Sequence, residues 1–449
     1  ISNSNFTHNN ASVNGSDIYN SSDNNTITTS NISDNNAKGN GGGIYYQGNR
    51  NTVSFCNIDH NSAHNGSNVF MAARAIGSKL IGSNITNAKA GKFGGGVEWL
   101  EKSTNGLIQD CYFYNCTSVA HGGGIHWYPG TNGTVDNCTF VECHVDGTKN
   151  GGAIYAGANT GFTPTGTVLS NSTFINCTSG TRGAVNWNSV GGLIYNNTFI
   201  NCGASNLSAT TQWGGAQALQ IEKGHNTQII ACDFYNCTGI GGGGALRVQD
   251  QGTNVTIANC SFDNCSNIHT AGAVYLTNNA KNVIFENNTF TNNEAPDTGA
   301  FYMEKQSTMK SFVNNTFINN TATNATGTGG AAHLAQNTVV VNSTFLENSA
   351  GAEGGAVYSM GDLRVAGSTF ENNTAGTNGG AISVNNGSSN LYINQSTFKY
   401  NKAETGSAIR ANNVYMNDTV LLENQAAFKE WFLTAAPLPS AASSNSPAR

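Results

Sequence analysis

Ten residues share one local setting in this chain: Tyr45, Glu98, His126, Tyr155, Arg247, Tyr275, Tyr302, His333, Tyr358 and Arg410 each follow an apolar residue preceded by glycines and small residues, as in Gly354-Gly355-Ala356-Val357-Tyr358. If that apolar residue points into a core on a strand, the next one points outward, so the ten form a single stripe together with Asn186, Ala218 and Ser383. Phenols, imidazoles and guanidinium groups on a flat face can stack on and hydrogen-bond to sugars or polar protein surfaces. The competing reading is an aromatic ladder that only stabilises the sheet. Trp99, Trp127 and Trp187 come one residue later. Alternation turns them inward, whereas crowding of three indoles in a narrow core favours an exposed patch; both readings stand, and exposed indoles would be the best sugar platform.

Catalytic and metal constellations are harder to find. Glycoside hydrolysis needs two carboxylates at a fixed separation, and calcium-dependent lyase chemistry needs clustered acids with a basic residue. Asp59, Asp110, Asp136, Asp146, Asp233, Asp250, Asp263 and Asp362 fall in different registers, and the stripe carries only Glu98. His121 and His126 flank a triple glycine beside Trp127, a pattern that suits a turn and its cap. The chain is therefore expected not to be an enzyme and to need no cofactor or metal. Spacings such as Cys111-x4-Cys116 are not those of zinc sites.

These residues must be positioned by a repeat. A Phe or Ile returns about every 27 residues, for example at Phe113, Phe140, Phe290, Phe317, Phe345 and Phe370, which marks a solenoid. Repeats this short, rich in Gly and β-branched residues and without helical stripes, read as coils of an all-β parallel β-helix, about 15 coils with three strands per coil. Three residues after each Phe or Ile lies a column that accepts only Asn, Cys or Ala, including Cys116, Cys143, Cys177, Cys202, Cys237, Cys265, Asn293, Asn320, Asn348, Asn373 and Asn401. Stacked amides in a buried turn can bond one another, and a thiol fills the same space. All eleven cysteines fall in this column or in one two residues before the Phe. Column neighbours such as Cys111 and Cys138, or Cys116 and Cys143, come close enough to bridge; buried reduced thiols are the favoured reading because their Cβ vectors lie side by side.

Of 449 residues, 20 are basic and 26 acidic, and the net charge of -6 offers no footprint for nucleic acid or an anionic membrane. No apolar run reaches the length of a membrane span. Asn-X-Ser/Thr acceptors recur, for example at Asn5, Asn31, Asn115, Asn171, Asn259, Asn314, Asn342 and Asn372, as expected for a glycosylated extracellular surface. The start at Ile1, inside a repeat, reads as a fragment or processed product. Residues 1–425 form the repeat domain. Residues 426–449 differ in composition, and Phe428, Trp431 and Phe432 could form a short helical cap.

The pairing of Gly-Gly-Ala-(Ile/Leu/Val), at 151–154, 243–246, 354–357 and 379–382, with Phe-x-x-Asn, at Phe290 to Asn293, Phe317 to Asn320 and Phe345 to Asn348, resembles the repeats of chlamydial polymorphic outer membrane proteins and of adhesin-like surface proteins of methanogenic archaea. From Phe113 to Phe262 the chain departs from that pattern, with Cys in place of Asn. The resemblance implies a right-handed parallel β-helix on the cell surface that works in adhesion. A surface glycan or a surface protein of another cell is the expected partner, and a monomer the expected state. A β-helix polysaccharide lyase or hydrolase, and a passive spacer, are the alternatives.

Overall fold

The computed structural model describes residues 1–426, apart from 73–74, 101–102, 128–130, 147–148, 158–162, 205–214, 216, 250–251 and 386. The helical cap expected around Phe428, Trp431 and Phe432 lies outside the described residues.

The chain winds as a right-handed parallel β-helix, and each coil holds four strands instead of the expected three. One coil runs through Thr173–Ile175, Thr178–Ser179, Val185–Trp187 and Leu193–Tyr195. Each strand pairs in parallel with its counterpart one coil away, giving two sheets of 16 strands and two of 15. They are called here the Phe sheet, the short sheet, the stripe sheet and the aliphatic sheet, in the order of that coil. The short sheet escaped the sequence because a two-residue strand has no alternation to recognise.

Turn chemistry explains why the coil closes where it does. Asn171 and Asn176 bracket the Phe strand with φ of 50° and 52°, a left-handed conformation that Asn tolerates better than other side chains. The next residue turns inward and must be small, and the one after starts a strand as an outward Thr or Ser. Asn-x-Thr is therefore what this turn requires. Six of the glycosylation acceptors named above, Asn115, Asn171, Asn259, Asn314, Asn342 and Asn372, occupy such positions. Their density follows from the fold and gives no separate sign of glycosylation.

The core is a set of stacked columns. Phe113, Phe140, Phe174, Phe199, Phe234 and Phe262 are at most 1% exposed, and consecutive rings stack with centroids 4.5 to 4.9 Å apart. At the turn beyond them Asn293 donates from Nδ2 to Oδ1 of Asn320 at 2.9 Å, and the same bond links Asn320 to Asn348, Asn348 to Asn373 and Asn373 to Asn401. In the middle coils Cys116, Cys143, Cys177, Cys202, Cys237 and Cys265 take that place; all eleven cysteines are buried and unbridged. The thiol of Cys116 sits 3.2 Å from the carbonyl of Ile85 one coil back.

Trp99, Trp127 and Trp187 are core residues, exposed by 0%, 2% and 0%, so they are withdrawn as a sugar platform. The crowding that argued for exposure is relieved by glycines. A Cβ on Gly106 would lie 2.4 Å from Trp99, and one on Gly133 only 1.7 Å from Trp127. Trp99 and Trp127 stack at 5.5 Å.

Candidate functional site

The stripe sheet begins where the small-residue run ends. Gly151 has φ of 71°, and a Cβ there would meet the carbonyl oxygen of Ile154 at 2.5 Å, so only glycine makes this corner. From each corner the strand sends one residue inward, as Ile125, Ile154 and Val274 do at 0% exposure, and the next outward. Register joins the outward residues into one continuous column: Tyr19, Tyr45, Phe70, Glu98, His126, Tyr155, Asn186, Gln220, Arg247, Tyr275, Tyr302, His333, Tyr358, Ser383 and Arg410. Three members differ from the sequence expectation, the first being Tyr19, which pairs with Tyr45, stacks on it at 4.9 Å and has no glycine pair before its strand. Phe70 was missed because no glycine pair introduces its strand. Gln220 replaces Ala218, which is fully buried; the strand starts at Leu219, after the small-residue run has continued through Gln217 and Ala218.

The direction of the stripe is as expected, but its openness is not. Glu98, His126, Asn186, Gln220 and Arg247 are exposed by 7% or less. Tyr45, Tyr155, Tyr275, Tyr302, His333, Tyr358 and Arg410 are half-buried. The column members cover one another, because side chains one coil apart lie in van der Waals contact. Tyr275 and Tyr302 stack with centroids 5.2 Å apart at 7°, and the Arg247 guanidinium lies over the far face of Tyr275 at 5.5 Å. Ring faces that a sugar could stack on are thus occupied by neighbouring rings. What the stripe offers outward over the coils of Tyr275, Tyr302, His333 and Tyr358 is a row of ring edges, one per coil.

Two polar groupings stand out. In the first, His126 Nδ1 lies 2.8 Å from Glu98 Oε2, and rings surround the pair: Phe93 stacks on His126 at 4.8 Å, His121 on Tyr155 at 4.5 Å, and His126 and Tyr155 are 5.3 Å apart. Burial, then the neighbouring His126 and Lys149, lower the His121 pKa to about 4, so this imidazole is neutral at pH 7. Arg182 and Glu222 form an ion pair beyond this cluster. In the second, Tyr275 donates to Glu304 at 2.5 Å, and burial together with that carboxylate raises the phenol pKa. His333 lies tilted between Tyr302 and Tyr358 at 4.5 and 4.8 Å, with its pKa lowered by burial to about 3. Glu353 accepts from Ser383 at 2.8 Å and faces Arg410 at 3.9 Å. A recess of about 430 Å³ lined by Lys305, Gln306, Ser307, Gln336 and Asn337 opens where these strands leave the sheet.

Phe93, Arg182, Glu222, Glu304 and Glu353 are site residues that the sequence reading did not place, and His121, read there as part of a turn and its cap, joins them. They sit on turns or in the short and stripe sheets, one or more positions away from the outward column. Among the described residues no three His, Cys, Asp or Glu side chains gather as metal ligands, and no helix is long and apolar enough to cross a membrane.

The sequence matches the family described as right-handed β-helix region over residues 1–167 and 136–317. This chain belongs to that family. No curated protein matches it at significant similarity. Solved structures that resemble it include a mannuronic acid specific polysaccharide family 6 lyase from human gut microbiota, with 12% identity, 87% of this chain and 86% of that one covered, and a TM-score of 0.41. The Azotobacter vinelandii mannuronan C-5 epimerase AlgE6 A-module gives 11%, 88% and 90%, with a TM-score of 0.38. The Streptococcus pneumoniae surface protein and adhesin PfbA gives 12%, 85% and 91%, with a TM-score of 0.32. These likenesses reach no further than the coiled fold. They do correct one expectation: with lyases and epimerases among the β-helices it resembles, the chain cannot be set down as a non-enzyme because it lacks a carboxylate cluster.

Proposed function

We propose that this chain is an extracellular, surface-displayed glycan-binding protein of the adhesin type, and that it holds a polysaccharide lengthwise along the stripe. The observation that carries this reading is the column Tyr275, Tyr302, His333 and Tyr358, which presents polar ring edges at a spacing of one coil, about 4.8 Å. An extended polysaccharide presents hydroxyls at a comparable repeat, so successive sugars can meet successive coils. Recognition then works by hydrogen bonds at ring edges, with the stacked faces keeping the row rigid.

The test is retention on a broad array of plant, bacterial and host glycans, run beside a Tyr275→Phe/Tyr302→Phe/Tyr358→Phe variant that keeps every stacked ring and removes only the hydroxyls. Selective binding that falls at least about tenfold in the variant supports the reading. Binding by neither protein, or equal binding by both, overturns it.

A second reading, catalysis on the bound glycan, is favoured by the Glu98–His126 pair beside the neutral His121 and the Tyr155 phenol, since a carboxylate that orients an imidazole is a common acid–base arrangement. Chain-length analysis of each retained glycan after incubation separates the two: shortened or unsaturated products support catalysis, and intact glycan supports binding alone.

A further inference from the structure

The outer face of the Phe sheet changes character in the middle of the rod. The residue after each Phe reads Tyr114, Val141, Ile175, Ile200 and Tyr235 over five consecutive coils, paired in register. Tyr235 is 50% exposed and the other four are half-buried. The same column turns polar on both sides, with Asp59 and Thr86 before the apolar run and Asp263 and Thr291 after it. Five aligned apolar side chains on a flat, uncovered sheet face are unusual for an outer surface and mark an interface.

We propose that this face binds a second copy of the chain, with the two rods antiparallel about a two-fold axis that runs along the strands through Ile175. A two-fold contact demands that residue i meet j and that j meet i. About Ile175 the column obeys that demand: Ile175 meets itself, Val141 meets Ile200 of the second copy, and Tyr114 meets Tyr235. The polar flanks obey it too. Asp263 comes opposite Thr86 of the second copy and Asp59 opposite its Thr291, so each carboxylate faces a hydroxyl and none faces another carboxylate. Within one chain each of these hydroxyls already donates to its neighbouring carboxylate, Thr86 to Asp59 at 2.5 Å and Thr291 to Asp263 at 2.7 Å, so the cross-copy contact gains by keeping like charges apart. On the neighbouring outward column Tyr112, 39% exposed, comes opposite Asp233, whose pKa is raised by burial, and its hydroxyl can donate to that carboxylate. Overlap in this arrangement runs for about 60 Å and covers about 700 Å² per copy, close to the roughly 800 Å² of a standard interface. The stripe sheet faces elsewhere and stays free in both copies, so the pair would present two stripes.

Sedimentation equilibrium of the purified chain over a wide concentration range tests this, beside Ile175→Lys, an outward substitution that leaves the core intact. The expected result is reversible dimerisation, weakened at least about tenfold in the variant, with an unchanged melting temperature. Cysteine cross-linking fixes the geometry, because the native thiols are all buried. Ile175→Cys should cross-link to its own copy, and Tyr114→Cys should cross-link to Tyr235→Cys only when the two are mixed. A monomer at every concentration, an Ile175→Lys dimer as tight as the parent, or Tyr114→Cys cross-linking to itself would each overturn the proposal. So would a glycan whose binding to a monomer is lost in Ile175→Lys.

Discussion

Nδ1 of His126 lies 2.8 Å from Oε2 of Glu98 on the preceding coil, and the two side chains are 3% and 1% exposed. Two ionisable groups sealed on the outward side of a sheet are costly unless they answer each other. Their register places them in contact through the strand pairing alone.

Removing one partner should therefore hurt more than removing both. Glu98→Ala is expected to cost about 3–5 kcal/mol, and the Glu98→Leu/His126→Leu double variant clearly less. Hydrogen exchange of the amides in the coils around Val97–Trp99 and Ile125–Trp127 reads this locally, as suits a rod whose coils can open separately. Equal protection in Glu98→Ala and the parent would show that the pair contributes nothing.

Acid should loosen the rod through its buried imidazoles. The pKa values of His121 and His333 are lowered from 6.5 to about 4 and about 3, chiefly by burial. The folded state therefore holds the neutral rings. Their contribution is fully present above pH 6.5 and is lost progressively as pH falls from there toward 3. His333→Asn should flatten that loss in urea midpoints measured at pH 7, 5 and 3.5, and a parallel fall in parent and variant would contradict it.

The thiols should be reduced and silent. In native buffer iodoacetamide is expected to label none of the eleven cysteines, because burial raises thiol pKa values such as that of Cys116 and blocks access. In denaturant without reductant it should label all eleven. A mass showing fewer labels until reductant is added would reveal bridges.

The fold was legible because stacking forces each position to repeat its choice. Phe at the inward site, Asn or Cys at the turn and glycine at the corner recur coil after coil, and no other architecture explains all three columns together. The site was legible only in direction. Alternation correctly sent Tyr275 and Tyr302 outward, but it carries no information about what lies beside an outward residue, so the burial of Glu98 and Arg247 could not be read. Trp127 shows the converse. Its inward position depends on the absent side chain of Gly133, six residues away and just before a strand of a different sheet, a compensation visible only once the coil is closed. The short sheet escaped notice for a related reason, and the Asn-x-Thr acceptors carry no separate signal for the same one: both belong to turns, whose demands on sequence imitate other signals.

The exchange of amides for thiols along the inner turn also divides the rod mechanically. From Asn293 to Asn401 every coil is tied to the next by a side-chain bond of 2.9 to 3.0 Å directed along the axis, and every amide points the same way, so the bonds polarise one another. From Cys116 to Cys265 the same column holds only weak thiol contacts such as that of Cys177 to Phe140, 3.5 Å. Tension along the axis would load the amide block as a unit and part the coils in the thiol block first. A rod built this way has its compliant section in the middle, on the coils that carry His126 and the apolar face around Ile175, while the Tyr302–Tyr358 stretch of the stripe spans the stiff end.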